Sequence, residues 1–261
     1  MYKKSKNLLS INNAKTIKGE KLGYKTYILY LSPFNQNSKG INLCSHASKG
    51  CANACLFGSG AARFTVVQLG KLNKTEWYLD NRMEFMLKLH SEIVAIKKKA
   101  IHNDINFNLI PIVRLNGTSD IVFEKIKIID DKNIFELHPD IQFYDYTKNP
   151  YRFNRPLPIN YHLTFSMSED NKVKSFELLN KGVNVAIVFG IKNESDLPLI
   201  YEGYKVVNGD KDDLRFLDEK NVIVGLKYKL LTGKGTKGIN KENIDTNDFI
   251  INVSKLDVET K

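Results

Sequence analysis

The chain has 261 residues, of which 42% are hydrophobic and 26% charged, a balance typical of a globular protein large enough for a full-sized core. No apolar run of about 18 residues is present, and no signal-peptide segment follows the basic start, so we expect neither a membrane span nor export from a reducing cytoplasm. The formal net charge of +10 is compatible with nucleic acid as a partner, although the lysine clusters are scattered along the chain.

The beginning of the chain is polar and rich in lysine. Residues 1–25 predict a basic N-terminal arm, and residues 26–261 predict a single domain. The first predicted strand covers residues 26–31, which are β-branched, aromatic and aliphatic. Pro33 ends this strand, and a turn-rich segment leads directly to the cysteines.

All three cysteines of the protein lie in one polar loop, residues 44–60. Six residues separate Cys44 from Cys51, and three separate Cys51 from Cys55. An odd number excludes a fully paired disulfide framework, and the polar neighbours are unlike those of a core cysteine. Three thiolates at this spacing suit a 4Fe–4S cluster with one iron left to another ligand. Zinc, with His46 as the fourth ligand, is the alternative, and a loop without metal is the third interpretation.

The rest of the chain alternates between helical and strand patterns. Apolar spacing predicts a helix over residues 77–100 with Thr75 as its N-cap, and a second helix over residues 171–181. A short helix or irregular piece is predicted at residues 121–129. Further buried strands are predicted at residues 107–114, 141–146, 161–165, 183–189, 204–207, 222–225 and 249–253. With the first strand these number eight, as in a β/α barrel, so we predict an α/β fold with a single barrel, either closed or incomplete and irregular.

Polar residues follow several of the predicted strands, and in a barrel the loops after the strands meet at one mouth. We predict that this mouth binds a cofactor or another small molecule through Arg114, Asn116, Asp120, Asp145, Lys148, Ser166, Glu169 and Asp210. Guanidinium and ammonium groups bind carboxylates and phosphates, and carboxylates bind hydroxyl and amino groups. The same residue types are also common in turns, so that interpretation stays open.

A strand followed by a three-cysteine loop, then by a helix and further α/β units, resembles the radical S-adenosylmethionine enzymes. That resemblance implies a TIM-type barrel and a 4Fe–4S cluster whose open iron binds S-adenosylmethionine. If the protein is an enzyme, the resemblance implies reductive cleavage of that cofactor, but it identifies no catalytic residue.

A second resemblance covers most of the chain and rests on the segments at residues 44–55, 114–120, 143–148, 163–166 and 208–210. These segments look like the bacteriophage family called gene product 88. The resemblance implies a viral protein in the host cytoplasm with a site shared across the family, and it defines no reaction.

Three functions are therefore expected. The first is a phage iron–sulfur protein that binds a small molecule at the open iron. The second is a nucleic-acid-associated phage protein in which zinc or a cluster is structural. The third is a partner of a host protein that uses the metal loop as a rigid epitope.

Overall fold

The computed structural model describes residues 2–11, 16–55, 64–102, 109–229 and 249–253. Within these ranges the chain has a mixed α/β fold. The α-helices are α1 (Thr16–Glu20), α2 (Lys49–Asn53), α3 (Thr65–Asp80), α4 (Arg82–His102), α5 (Ile134–Leu137) and α6 (Lys172–Asn180). The strands are β1 (Leu9–Ser10), β2 (Tyr24–Leu29), β3 (Ile110–Arg114), β4 (Gln142–Thr147), β5 (Tyr161–Ser166), β6 (Val185–Phe189), β7 (Ile200–Tyr201), β8 (Tyr204–Asn208), β9 (Ile223–Lys227) and β10 (Ile250–Ile251).

The chain divides into two compact units. The first unit contains Met1–Ser45, Phe64–Asp145 and Tyr151–His162. The second contains His46–Arg63, Tyr146–Pro150 and Leu163–Lys261. No helix in the described part of the chain has the length and apolar character needed to cross a membrane.

In the first unit, the strands follow one another in the order β1, β2, β3 and β4. β1 pairs with β2 in antiparallel register, and β2, β3 and β4 run parallel. Ile112 and Val113 of β3 and Leu29 of β2 are completely buried, and Ile28 of β2 is almost completely buried. Such apolar central strands are typical of a parallel sheet covered on both faces. The arm predicted at residues 1–25 contributes to this unit, because Leu8 is fully buried and Leu9 pairs with Leu29.

The helix predicted over residues 77–100 is wrong at its start, because two helices occupy this part of the chain. α3 begins at Thr65, and Thr75 lies inside it. The hydroxyl of Thr75 donates to the carbonyl of Lys71 at 3.0 Å and accepts the N–H of Ser32 at 2.8 Å, so it is not an N-cap. The early turns of α3 expose several apolar side chains, with Val66 82% exposed, so they carry no periodic pattern that marks a helix.

In the second unit, the strand order is β5, β6, β9, β8 and β7, and β10 lies beside β6. All of these pairings are parallel except the antiparallel pair of β7 and β8. β6 is central, with Val185, Ile187 and Phe189 fully buried.

The predicted α/β class is therefore confirmed, and each of the eight predicted strands overlaps an observed one. The observed strands are shorter in places: the last prediction, 249–253, reduces to Ile250–Ile251, and residues 107–108 lie outside the described residues. The two-residue strands β1 and β7 were not predicted, because so short a segment has no alternating pattern. Closure of the strands into a barrel stays a prediction.

Candidate functional site

The first cysteine of the loop lies in the first unit, beside the turn that follows β3. The Cys44 thiol donates to the carbonyl of Thr118 at 3.6 Å. The N–H of Asp120 donates to the carbonyl of Leu43 at 2.8 Å, so the chain just before Cys44 is also attached to this turn. The start of the cysteine loop is thereby held to the carboxyl end of a central strand.

The other two cysteines lie in the second unit, where α2 carries Cys51 and Cys55 follows the helix. Ser48 is the N-cap of α2, and its hydroxyl accepts the N–H of Cys51 at 3.1 Å. The Glu169 carboxylate accepts the Ser48 hydroxyl at 2.8 Å and the N–H of Gly50 at 2.5 Å. Since the first N–H groups of a helix have no partner inside it, this carboxylate completes the start of α2.

The pKa of Glu169 is lowered, although burial alone would raise it. The N–H of Gly50, the hydroxyl of Ser48 and the charge of Lys148 all favour its ionised form. The Lys148 ammonium in turn donates to the Ser166 hydroxyl at 2.8 Å and to the Met167 carbonyl at 3.1 Å. The structure therefore brings together Lys148, Ser166 and Glu169, three of the predicted site residues, near the start of α2.

An apolar cluster of Tyr228, Phe249 and Ile250 lies against the helix that carries the second cysteine. Cys51 and Ala54 pack on this cluster. The Lys148 ammonium lies 5.0 Å from the centre of the Phe249 ring, in a cation–π contact. One wall of Cys51 is thus apolar, with a fixed positive charge on the same aromatic ring.

Asp210, also predicted as a site residue, holds the chain that leaves β9 in the second unit. Its carboxylate accepts the N–H of Lys227 at 2.7 Å and lies 3.6 Å from the Lys229 ammonium. Tyr228 is between these two lysines, so Asp210 helps to position one wall of the apolar cluster.

The donor atoms of the loop match a soft metal or a cluster in their chemistry. Cys44, Cys51 and Cys55 are thiols and each is half-buried. Within the described ranges, however, no group of three or more histidine, cysteine, aspartate or glutamate side chains is arranged to hold a metal ion. The thiols therefore fit an iron–sulfur cluster by type and spacing along the chain, but they do not form a closed site by themselves.

The remaining predicted residues form a hydrogen-bonded network in the first unit, centred on Asp145. This carboxylate is fully buried. It accepts the backbone N–H of Asn116 at 2.7 Å and the hydroxyl of Tyr161 at 2.9 Å, and it lies 3.9 Å from Nε of Arg114. Asp145 therefore ties the end of β4 to the turn that follows β3.

Asn116 organises that turn through its side-chain amide. Its Oδ1 accepts the Ser119 hydroxyl at 2.9 Å and the Ile121 N–H at 2.8 Å, and its Nδ2 donates to the Ile121 carbonyl at 3.0 Å. Next to it, Gly117 has no room for a side chain, because a Cβ there would lie 2.6 Å from the Tyr30 ring. The hydrogen bonds of Asn116 and the close packing at Gly117 fix the turn next to Cys44.

Arg152 extends the network and was missed by the sequence prediction. This buried guanidinium makes two hydrogen bonds with Glu124, at 2.9 and 2.7 Å, and a third with Asp120 at 3.2 Å. It also donates to the Tyr161 hydroxyl at 2.8 Å, so it connects to Asp145 through Tyr161. It lies five residues beyond the end of β4, in a short 3-10 helix without a periodic pattern, so only the folded chain identifies its partners.

Burial raises the pKa of Asp145 to about 6, although Arg114, the N–H of Asn116, Arg152 and Tyr161 all act in the opposite direction. Burial also raises the pKa of Tyr161, as does the neighbouring Asp145 charge. Desolvation outweighs the favourable contacts of Asp145, since a carboxylate surrounded by protein loses its hydration.

The predicted site residues therefore fall into two sets, one in each unit. Arg114, Asn116, Asp120 and Asp145 belong to the network of the first unit, and Lys148, Ser166, Glu169 and Asp210 belong to the second. A single mouth shared by all of them stays a prediction.

Comparison with known proteins gives one match. A protein-family model described as gene product 88 matches residues 6–246. No curated protein and no solved structure matches the chain.

The buried Asp145 makes a pH-dependent contribution to stability that Asp145→Asn should remove. A folded-state pKa of about 6, against an ordinary value of 3.8, stabilises the fold below about pH 4, and that contribution is lost as the pH rises through about 6. From about pH 3 to 7 we expect wild type to lose up to about 3 kcal/mol relative to the variant, most of it between pH 4 and 6, with almost no further change above pH 7. Urea unfolding followed by the fluorescence of Trp77, the single tryptophan, measures the difference. A difference that is constant from pH 4 to 7 would contradict the assignment.

Proposed function

The chain belongs to the gene product 88 family, and we propose that this phage protein binds a 4Fe–4S cluster through Cys44, Cys51 and Cys55. The observation that carries the proposal is the anchoring of the three-thiol loop. The turn after β3 holds the residues around Cys44, and Glu169 holds the start of the helix that carries Cys51. A loop attached in this way is prepared to enclose a cluster. Metal ligands commonly reach their final arrangement only when the metal binds.

The residues around Cys51 have separate roles in this proposal. The apolar wall of Tyr228, Phe249 and Ile250 limits the access of water to the sulfur. The Lys148 ammonium lies over the Phe249 ring of this wall and also acts on Glu169, so it adds a positive charge to the surroundings of α2. Glu169 positions the helix and does not serve as a ligand, because its oxygens already accept from Ser48 and Gly50.

A cluster with three cysteine ligands supplies one iron with an open coordination position for a small molecule. S-adenosylmethionine is the small molecule that we propose for this position. We also propose that the strands close into a TIM-type barrel, as in the radical S-adenosylmethionine enzymes. Two features support the ligand and the barrel: a strand precedes the cysteine loop along the chain, and most of the strand pairs are parallel.

Purification without air should give a brown protein with about four irons and four sulfides per chain. Changing Cys44, Cys51 or Cys55 singly to Ser should remove most of this iron, because an alcohol is a poor ligand for the cluster. Ser45→Ala is the matched control in the same loop and should retain it. Metal analysis and an absorption spectrum measure the result, and addition of S-adenosylmethionine should change the electron paramagnetic resonance spectrum of the reduced protein.

A colourless protein that carries one zinc per chain, and that loses this zinc when Cys44, Cys51 or Cys55 is changed to Ser, would instead support the zinc alternative with His46. Iron that survives all three serine substitutions would exclude the cysteine loop as the binding site.

Glu169→Gln should loosen the start of α2 and shorten the lifetime of the bound cluster. A neutral amide is a weaker acceptor than a carboxylate by about 1 kcal/mol, so we expect roughly fivefold faster loss of iron to a chelator. Asp170→Asn is the matched control, because it removes the same charge from an exposed neighbour. Equal rates of iron loss in the two variants would show that general charge, and not the contacts of Glu169 with α2, determines retention.

The net charge of +10 favours nucleic-acid binding as a second candidate function, in which the metal is structural. Lys98 and Lys99 are exposed near the end of α4 and are examples of the charges available for phosphate contacts.

If this second function is correct, affinity for DNA or RNA should fall at least about tenfold between roughly 50 and 200 mM salt, because counterions are released on binding. Fluorescence anisotropy with labelled oligonucleotides measures this dependence. Absence of binding at the lower salt concentration would exclude the nucleic-acid function without affecting the cluster proposal.

A further inference from the structure

Two histidines of the first unit face each other, and both are far from the cysteine loop in the sequence. His90 lies in α4, and His138 follows α5. Nδ1 of His90 and Nε2 of His138 are 3.0 Å apart, and the ring centres are 4.8 Å apart with the planes inclined by 37°. One nitrogen of each ring therefore faces a nitrogen of the other ring at close range.

The pair is held on one side by the core and is open on the other. His138 is 1% exposed, whereas His90 is only half-buried. The backbone N–H of His138 donates to the carbonyl of Phe135 at 3.2 Å, which fixes the position of the residue after α5. Nδ1 of His138 is buried and has no hydrogen-bond partner among the described residues. The pair therefore combines a buried imidazole with one that is partly accessible to solvent.

We propose that His90 and His138 form a binding site for a divalent transition metal that prefers imidazole, such as Zn²⁺ or Co²⁺. Two imidazole nitrogens that each lie about 2.0–2.1 Å from a tetrahedral zinc are about 3.3 Å apart, so the observed spacing needs only a small opening of the pair. Imidazole is the ligand common to sites for these metals. With only two protein ligands, water molecules would have to complete the coordination of the metal, so we expect moderate affinity.

The charged neighbours of the pair come from both elements that pack around it. Lys97 of α4 forms an ion pair with Asp140 at 2.6 Å, and both charges act on His138. The ammonium repels a bound cation, and the carboxylate attracts it. Because the two are paired with each other, their combined effect on a metal at the histidines is small, and removing Lys97 should strengthen binding.

A direct hydrogen bond between two imidazoles is the alternative explanation of the same contact, and zinc titration distinguishes the two. The full chain with Cys44, Cys51 and Cys55 all changed to Ser is used, so that no thiol competes for the metal. Addition of Zn²⁺ should shift the imidazole nitrogen resonances of His90 and His138 together and saturate at one metal per chain. Co²⁺ should give a weak visible absorption without a sulfur-to-metal band.

Three variants in the same background test which residues hold the metal. His90→Gln should weaken zinc binding more than about tenfold, and Lys97→Met should strengthen it by roughly two- to fivefold. His46→Gln removes an imidazole from the cysteine loop and should leave the affinity unchanged. A chain that binds no zinc, or binds it with equal affinity before and after His90→Gln, would overturn the proposal. Since the thiols are absent from every protein compared, neither result depends on the cluster.

Discussion

Carboxylates that accept hydrogen bonds from backbone N–H groups organise the parts of this chain that carry its candidate chemistry, and two of them, the fully buried Asp145 and the partly buried Glu169, matter most. Asp145 joins the end of β4 to the turn after β3, and Glu169 joins the segment after β5 to the start of α2. A buried carboxylate without donors is costly, so Asp145 strongly favours the arrangement in which N–H and O–H groups surround it, and the partly buried Glu169 does so more weakly. Both arrangements place cysteines: the first fixes the turn beside Cys44, and the second fixes the helix that carries Cys51.

The same contacts give the polar residues at the strand ends a structural explanation as well as a functional one. Asn116 uses its amide within the turn, and the two oxygens of Asp145 accept from Asn116 and Tyr161. Lys148, by contrast, combines hydrogen bonds to the chain after β5 with a contact on the Phe249 ring. Lys148 therefore belongs to the surroundings of Cys51, whereas Asn116 and Asp145 support the chain near Cys44.

The two metal proposals concern different chemistry in different parts of the molecule. Cysteine sulfur on a polar, glycine-rich loop favours iron–sulfur clusters or zinc, and imidazole nitrogen beside two helices favours divalent ions of intermediate hardness. The cysteine proposal rests on residues close together in the sequence. The histidine proposal rests on residues 48 positions apart that meet only in the folded chain. Each stands or fails on its own, because no ligand is shared.

The sequence by itself determined the α/β class, the approximate positions of the main strands and the concentration of all cysteines in one loop. These features depend on local apolar patterns and on residue spacing, and both can be read from the sequence alone. It did not reveal the true start of α3, the role of Thr75 inside that helix, or the contacts of Arg152 and of the His90–His138 pair. Those were decided by the tertiary structure, because a buried polar group takes its partners from distant segments, and only their packing establishes which donor meets which acceptor.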